Sequence, residues 1–146
     1  MGGSMQVSSV GPAPAAPTVL LVEDEILIRL MIAEELRDHG IQVLEASSAD
    51  EALTVLESAL PVHLLFTDIH LPGTMNGVAL ANLAHVRYPH LKLIITSSQE
   101  PAGGGAVADT FIPKPYDLPA VIKRVEALLT QFPGDTESRR PRRRLK

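Results

Sequence analysis

The 146-residue chain has no cysteine and no tryptophan, and aromatic residues make up only 3% of it. Without cysteine there can be no disulfide framework, thiolate metal centre or cysteine nucleophile, and a reducing compartment fits. No apolar run approaches the ~20 residues that cross a bilayer. No basic residue precedes Arg29, so the start lacks the charged segment of a secretory signal, and a cytoplasmic location is expected. Basic charge is scarce except in one place. Of 13 Lys and Arg, six (Arg139, Arg140, Arg142, Arg143, Arg144 and Lys146) lie in the last eight positions, and the rest of the chain sets 7 basic residues against 17 acidic ones. An acidic body argues against nucleic-acid binding over the whole surface, and the tail lacks aromatics for base stacking.

What remains is 45% apolar, enough to bury a core. Residues 1–17 are rich in Gly, Ser, Ala and Pro, and Met5 after MGGS reads as an expression scar ahead of a native start. The expected organisation is a disordered segment over 1–17, one folded domain over 18–132 and a basic disordered tail over 133–146. Within the domain, short apolar runs alternate with segments of helical period, the pattern of βα units around a parallel sheet. Strands are predicted at Thr18–Val22, Gln42–Glu45, Val62–Thr67, Leu91–Thr96 and about Asp109–Ile112.

A helix is predicted over Glu25–His39, with Leu27, Leu30, Met31 and Leu36 as its apolar side and Gly40 ending it. The second opens with Ser48 and Glu51 as a capping box and carries Leu53, Leu56 and Leu60 on one stripe. Pro72, Gly73, Asn76 and Gly77 supply bends and positive φ angles to a loop before a third helix, Val78–Tyr88. The last helix starts near the N-cap Asp117 and puts Val121, Val125 and Leu128 on one face. Pro101 and three successive glycines make a regular helix over Ser97–Gly105 doubtful.

Open parallel sheets bind ligands outside the carboxyl ends of their strands. The polar residues at those ends are Glu23 and Asp24, Asp68, Thr96 and Lys114. Three carboxylates gathered at one edge favour a hard divalent cation such as Mg²⁺. With a metal and Lys114 to neutralise charge, Asp68 can act as a nucleophile toward phosphorus, with Thr96 hydrogen-bonding a phosphate oxygen.

The motifs VLLVEDE, FTDIHLPGTMNG, LIITSS and FIPKPY resemble, in order and approximate spacing, those of response-regulator receiver domains from bacterial two-component signalling. The resemblance implies a flavodoxin-like (βα)₅ fold with a five-stranded, doubly wound parallel sheet. It implies that Asp68 is the phosphoacceptor, filled by a sensor histidine kinase or a phosphotransfer protein. It further implies Mg²⁺ held by Glu23, Asp24, Asp68 and the backbone carbonyl of His70, Thr96 as the switch hydroxyl, Phe111 as the switch aromatic and Lys114 as the phosphate contact. The loop LPGTMNG is one residue longer than usual, which resembles a subgroup paired with HWE-type histidine kinases. The short interval between Thr96 and Lys114 implies that the family's fourth helix, between the fourth and fifth strands, is short or absent. Phe111 has no hydroxyl where tyrosine is frequent, so it can switch only by packing.

Each of these residues also has an ordinary reading. Asp68 can be a turn residue, Glu23 and Asp24 a helix N-terminus, Thr96 a strand residue, Lys114 a solvated loop cation and Phe111 part of the core. Ser97 and Ser98 adjoin Thr96, so the hydroxyl assignment can slip by one position. The five histidines have no metal-ligand spacing. Too few residues follow Phe132 for a helix-turn-helix module, so output through contact with a downstream protein is expected, without DNA binding. The chain is then no enzyme beyond its own phosphorylation and dephosphorylation. Two other functions are a degenerate receiver that binds without phosphorylation and an aspartyl-nucleophile phosphatase. The second acid of the latter, two positions after the first, is here replaced by His70.

Overall fold

In the computed structural model, residues 16–97 and 108–130 are described. Five strands, β1 (Thr18–Val22), β2 (Gln42–Ala46), β3 (Leu64–Asp68), β4 (Lys92–Ser97) and β5 (Thr110–Pro113), form one parallel sheet in the order β2-β1-β3-β4-β5. Among the described residues four helices pack on it: α1 (Ile26–Asp38), α2 (Ala49–Glu57), α3 (Gly77–Arg87) and α4 (Leu118–Leu129). The flavodoxin-like expectation holds. The expected terminal segments lie largely outside the described residues, and so does the segment 98–107 on which the family's fourth helix would fall. Among the described residues no helix is long and apolar enough to cross a membrane.

The central strands are continuous apolar runs because both faces of the sheet are covered. Successive side chains alternate between the faces, so each strand feeds two cores. Val19, Leu21, Leu64, Phe66, Ile94 and Ile112 meet Ile32, Ala33 and Leu36 of α1 and Val121, Ile122 and Val125 of α4. Leu20, Val22, Leu65, Leu93 and Ile95 meet Ala52 and Leu56 of α2 and Leu80, Ala81 and Ala84 of α3.

Helix ends follow local chemistry. Gly40, at φ 81°, closes α1 in a Schellman motif, with the Ile41 N–H on the Leu36 carbonyl (3.1 Å) and the Gly40 N–H on that of Arg37 (3.0 Å). Ser48, Asn76 and Asp117 cap α2, α3 and α4 by accepting from Glu51, Ala79 and Ala120 N–H groups. The Glu51 carboxylate returns to the N–H of Ser47 (2.7 Å), one residue before the cap.

Three sequence expectations are corrected. Leu27, Leu30 and Met31 do not face the core; they are 77%, 43% and 50% exposed, and only Leu36 of the expected stripe is buried. Helix α1 is apolar on two sides, and the sheet covers the one that carries Ile32, Ala33 and Leu36. Leu60 lies past the end of α2, which Ser58 stops by turning its hydroxyl back to the Val55 carbonyl (2.6 Å). Gly73 does adopt positive φ (94°), but Gly77 does not.

Candidate functional site

The sheet's alternation decides which polar residues meet. Leu21, Phe66, Ile94 and Ile112 share the face under α1 and α4. Two residues beyond each, at the carboxyl edge, come Glu23, Asp68, Thr96 and Lys114. Register places Asp68 beside Thr96, and Ser97 falls on the opposite parity. Phe111 belongs to the other face, packed against the α2–α3 core.

Lys114 Nζ lies 3.1 Å from Asp68 Oδ2 and 3.2 Å from Glu23 Oε1, with its side chain 18% exposed and both carboxylates buried. The other oxygen of Glu23 accepts from the Glu25 N–H (3.1 Å), and Asp68 Oδ1 accepts from that of His70 (3.3 Å). Asp24 is exposed. One carboxylate oxygen from each of Glu23, Asp24 and Asp68 falls within 4.8 Å of the others. Three negative charges against one lysine leave an excess of two, and an all-oxygen donor set of that charge suits a hard divalent cation. The trio could therefore hold a metal.

Burial pushes the Glu23 carboxyl above its ordinary value, against the pull of the Glu25 N–H and Lys114. Burial draws Lys114 down, but the hydrogen bond and charge of Asp68, with those of Glu23, outweigh it and leave the ammonium above its ordinary value. Two buried hydroxyls, of Thr96 and Tyr116, have no hydrogen-bond partner among the described residues. A buried hydroxyl without a partner is costly, so the Thr96 Oγ1 beside Asp68 is a donor in reserve. The Tyr116 phenol was not singled out in the sequence. Burial raises it to about 12, opposed by Lys114 and assisted by Glu23 and Asp68.

Gly77 serves the site by close packing. A Cβ there would run into the backbone carbonyl of Asp68, while the Gly77 N–H bonds the Ile69 carbonyl (2.8 Å). Its value is close approach to the backbone of the acidic strand end, not conformational freedom. Gly77→Ala is expected to lower the unfolding free energy by about 2 kcal/mol, as for overpacking of a rigid backbone contact. Chemical denaturation would measure the loss, and no loss would mean that the loop can retreat freely.

The chain is similar to known proteins over most of its length. Residues 19–126 match the response regulator receiver domain family. The chain is 32% identical over 133 residues to the response regulator protein FleR of Pseudomonas aeruginosa, covering 84% of this chain and 27% of FleR. It is 33% identical over 129 residues to the phosphate regulon transcriptional regulatory protein PhoB of the same species, covering 83% of this chain and 56% of PhoB. It thus spans between about a quarter and just over half the length of these relatives. The crystal structure of the receiver domain of NtrX from Brucella abortus superposes with a TM-score of 0.71 at 32% identity, covering 78% of this chain and 99% of that one. With a parallel sheet that gathers two acids, a third acid, a hydroxyl and a lysine at one edge, the chain belongs to the receiver domains of response regulators.

Proposed function

We propose that the domain accepts a phosphoryl group on Asp68 from a phosphohistidine of a sensor histidine kinase or phosphotransfer protein, with Mg²⁺ bound. The longer loop after Asp68 favours an HWE-type kinase as donor. The observation that carries the reading is the meeting of Glu23, Asp24, Asp68 and Lys114 beside the unpartnered Thr96 hydroxyl. In the transfer, an Asp68 carboxylate oxygen attacks phosphorus and forms an acyl phosphate. The phosphorus–nitrogen bond breaks, and the imidazole leaves with the electron pair. Glu23, Asp24 and Asp68, with the backbone carbonyl of His70, would hold Mg²⁺, which supplies neutralisation of the phosphoryl charge. Lys114 pairs with a phosphoryl oxygen as it now pairs with Asp68.

The new phosphoryl oxygens also supply the acceptor that Thr96 lacks. A phosphorylated state therefore gains a hydrogen bond that the free state does not have, which biases the domain toward a second conformation. Phe111, two residues before the end of β5, carries the change to the surface by repacking, and the signal leaves through protein contact. A protein donor is supported by the exposed Ile26, Leu27, Leu30 and Met31, an apolar patch on the first turns of α1 next to the acidic loop.

The test is incubation with a small acyl phosphate and Mg²⁺, read by intact mass. One alkali-labile phosphoryl adduct is expected, and none when a chelator removes the metal. Release of phosphate from added phosphomonoesters without an adduct would favour a phosphatase, and no adduct at all would favour a receiver that binds without phosphorylation.

A further inference from the structure

Glu23 and Asp24 occupy the short loop between β1 and α1, so their carboxylates converge only if that loop is held still. The N–H of Glu23 is fixed by the Ala46 carbonyl at the end of β2 (3.0 Å). Its carbonyl, part of the peptide unit that joins Glu23 to Asp24, accepts from Arg29. Arg29 reaches back from α1, with Nη1 donating to the Glu23 oxygen at 2.8 Å and Nε to Glu45 Oε1 at 3.0 Å. Glu45 Oε2 in turn pairs with Arg37 Nη2 at 3.1 Å, and Arg37 donates to the Val43 carbonyl at 2.9 Å. The side chains of Arg29 and Glu45 are only 16% and 24% exposed, so solvent competes weakly for this chain of contacts.

We infer that Arg29, anchored by Glu45, is a positioning residue that sets the Glu23–Asp24 peptide and thereby preorganises the acidic loop for its cation. This rests on the reading of Glu23 and Asp24 as metal-holding carboxylates. The planar guanidinium suits the task because its nitrogens project in a fixed fork and can grip two oxygens on different elements, which an ammonium cannot do. Glu45 has a second role. It neutralises Arg29 and keeps that cation on the β2 side of the loop, away from the site where it would repel a metal ion.

Two explanations of Arg29 predict opposite signs. As a nearby positive charge it would weaken cation binding, and its removal would tighten the site. As a support it strengthens binding, and its removal loosens the site. Partners that orient metal ligands from behind are worth about ten- to a hundredfold in affinity.

The experiment is a Mg²⁺ titration followed by amide NMR shifts on the parent, Arg29→Met, Arg29→Lys and Glu45→Gln. Thermal unfolding without metal serves as the check on folding, and Arg29→Lys carries the test if Arg29→Met does not fold. Expected is about a tenfold weaker dissociation constant for Arg29→Met. Arg29→Lys should also weaken binding although it keeps the charge, and Glu45→Gln should move affinity in the same direction. The Mg²⁺ concentration for half-maximal phosphorylation should rise in step, with the rate at saturation unchanged. Unchanged or tighter binding in the arginine variants, with the parent binding normally, overturns the inference alone. A parent that binds no Mg²⁺ overturns the reading of the acidic site as well.

Discussion

Asp68→Asn is expected to abolish the phosphoryl adduct while leaving the fold intact. An amide is not a nucleophile toward phosphorus, so the chemistry stops unless a neighbouring carboxylate can substitute. Glu23 cannot, because it is 3% exposed and its two oxygens are held by the Glu25 N–H and by Lys114. Asp24 is accessible, but neither the Lys114 ammonium nor the strand register that presents the Thr96 hydroxyl is directed at it. The amide is close in shape, but its single oxygen cannot serve both the His70 N–H and Lys114; the ammonium keeps Glu23, and the loss of one of three crowded negative charges offsets part of the lost pair. Stability should therefore change by about 1 kcal/mol. Intact mass after incubation with a small phosphodonor, beside a thermal melt, checks both halves. An adduct that persists on the asparagine variant would place the acceptor elsewhere.

The acidic site was legible in the sequence because its members share one local signature. Each follows an apolar run long enough to be a buried strand, and a parallel sheet brings all such ends to one edge. The same logic gave the strands and the caps Ser48 and Asp117, where a short side chain and the backbone it satisfies are neighbours in sequence. What the sequence concealed depends on contacts between distant elements. The inward face of α1 could not be chosen because Leu27, Leu30 and Met31 obey the helical period as well as Ile32, Ala33 and Leu36 do, and only the sheet decides. Gly77 looks like a turn residue until the Asp68 carbonyl is seen against it. Arg29 and Glu45 lie 16 residues apart, and nothing local pairs them until β1 and β2 come into register. The apolar residues misassigned to the core are informative in their own right. Solvent-facing Leu27, Leu30 and Met31 lie beside the acidic loop, where a protein partner would have apolar surface to cover.

Lys114→Met is expected to destabilise the protein substantially, and in a way that depends on pH. The ammonium is the only cation within ion-pair distance of the Glu23 and Asp68 carboxylates among the described residues. Removing it leaves two buried carboxylates facing each other with Asp24 nearby. Breaking a fully buried pair in this way costs about 3–5 kcal/mol, and because Lys114 retains 18% exposure a loss of about 2 kcal/mol at neutral pH is the better figure. The sign of the pH dependence follows from the two shifts. Lys114 titrates above its ordinary 10.5 in the folded state, where Asp68 and Glu23 outweigh the opposing effect of burial. Its contribution is therefore fully present below 10.5 and lost as pH rises through the folded value. Glu23 is raised above 4.5, chiefly by burial, so on acidification the folded state takes up this proton before the unfolded chain does. The cost of the buried charge then disappears as pH falls through that raised value. The deficit of the variant should be greatest between these two limits and shrink toward either end. Mg²⁺ should stabilise the variant more than the parent, since the metal meets no competing ammonium and binding to the folded state alone raises stability by mass action. Urea denaturation across pH, with and without Mg²⁺, measures all of this. A deficit that is constant with pH would mean that Lys114 acts through the packing of its alkyl chain, and that its charge does not hold the acidic cluster together.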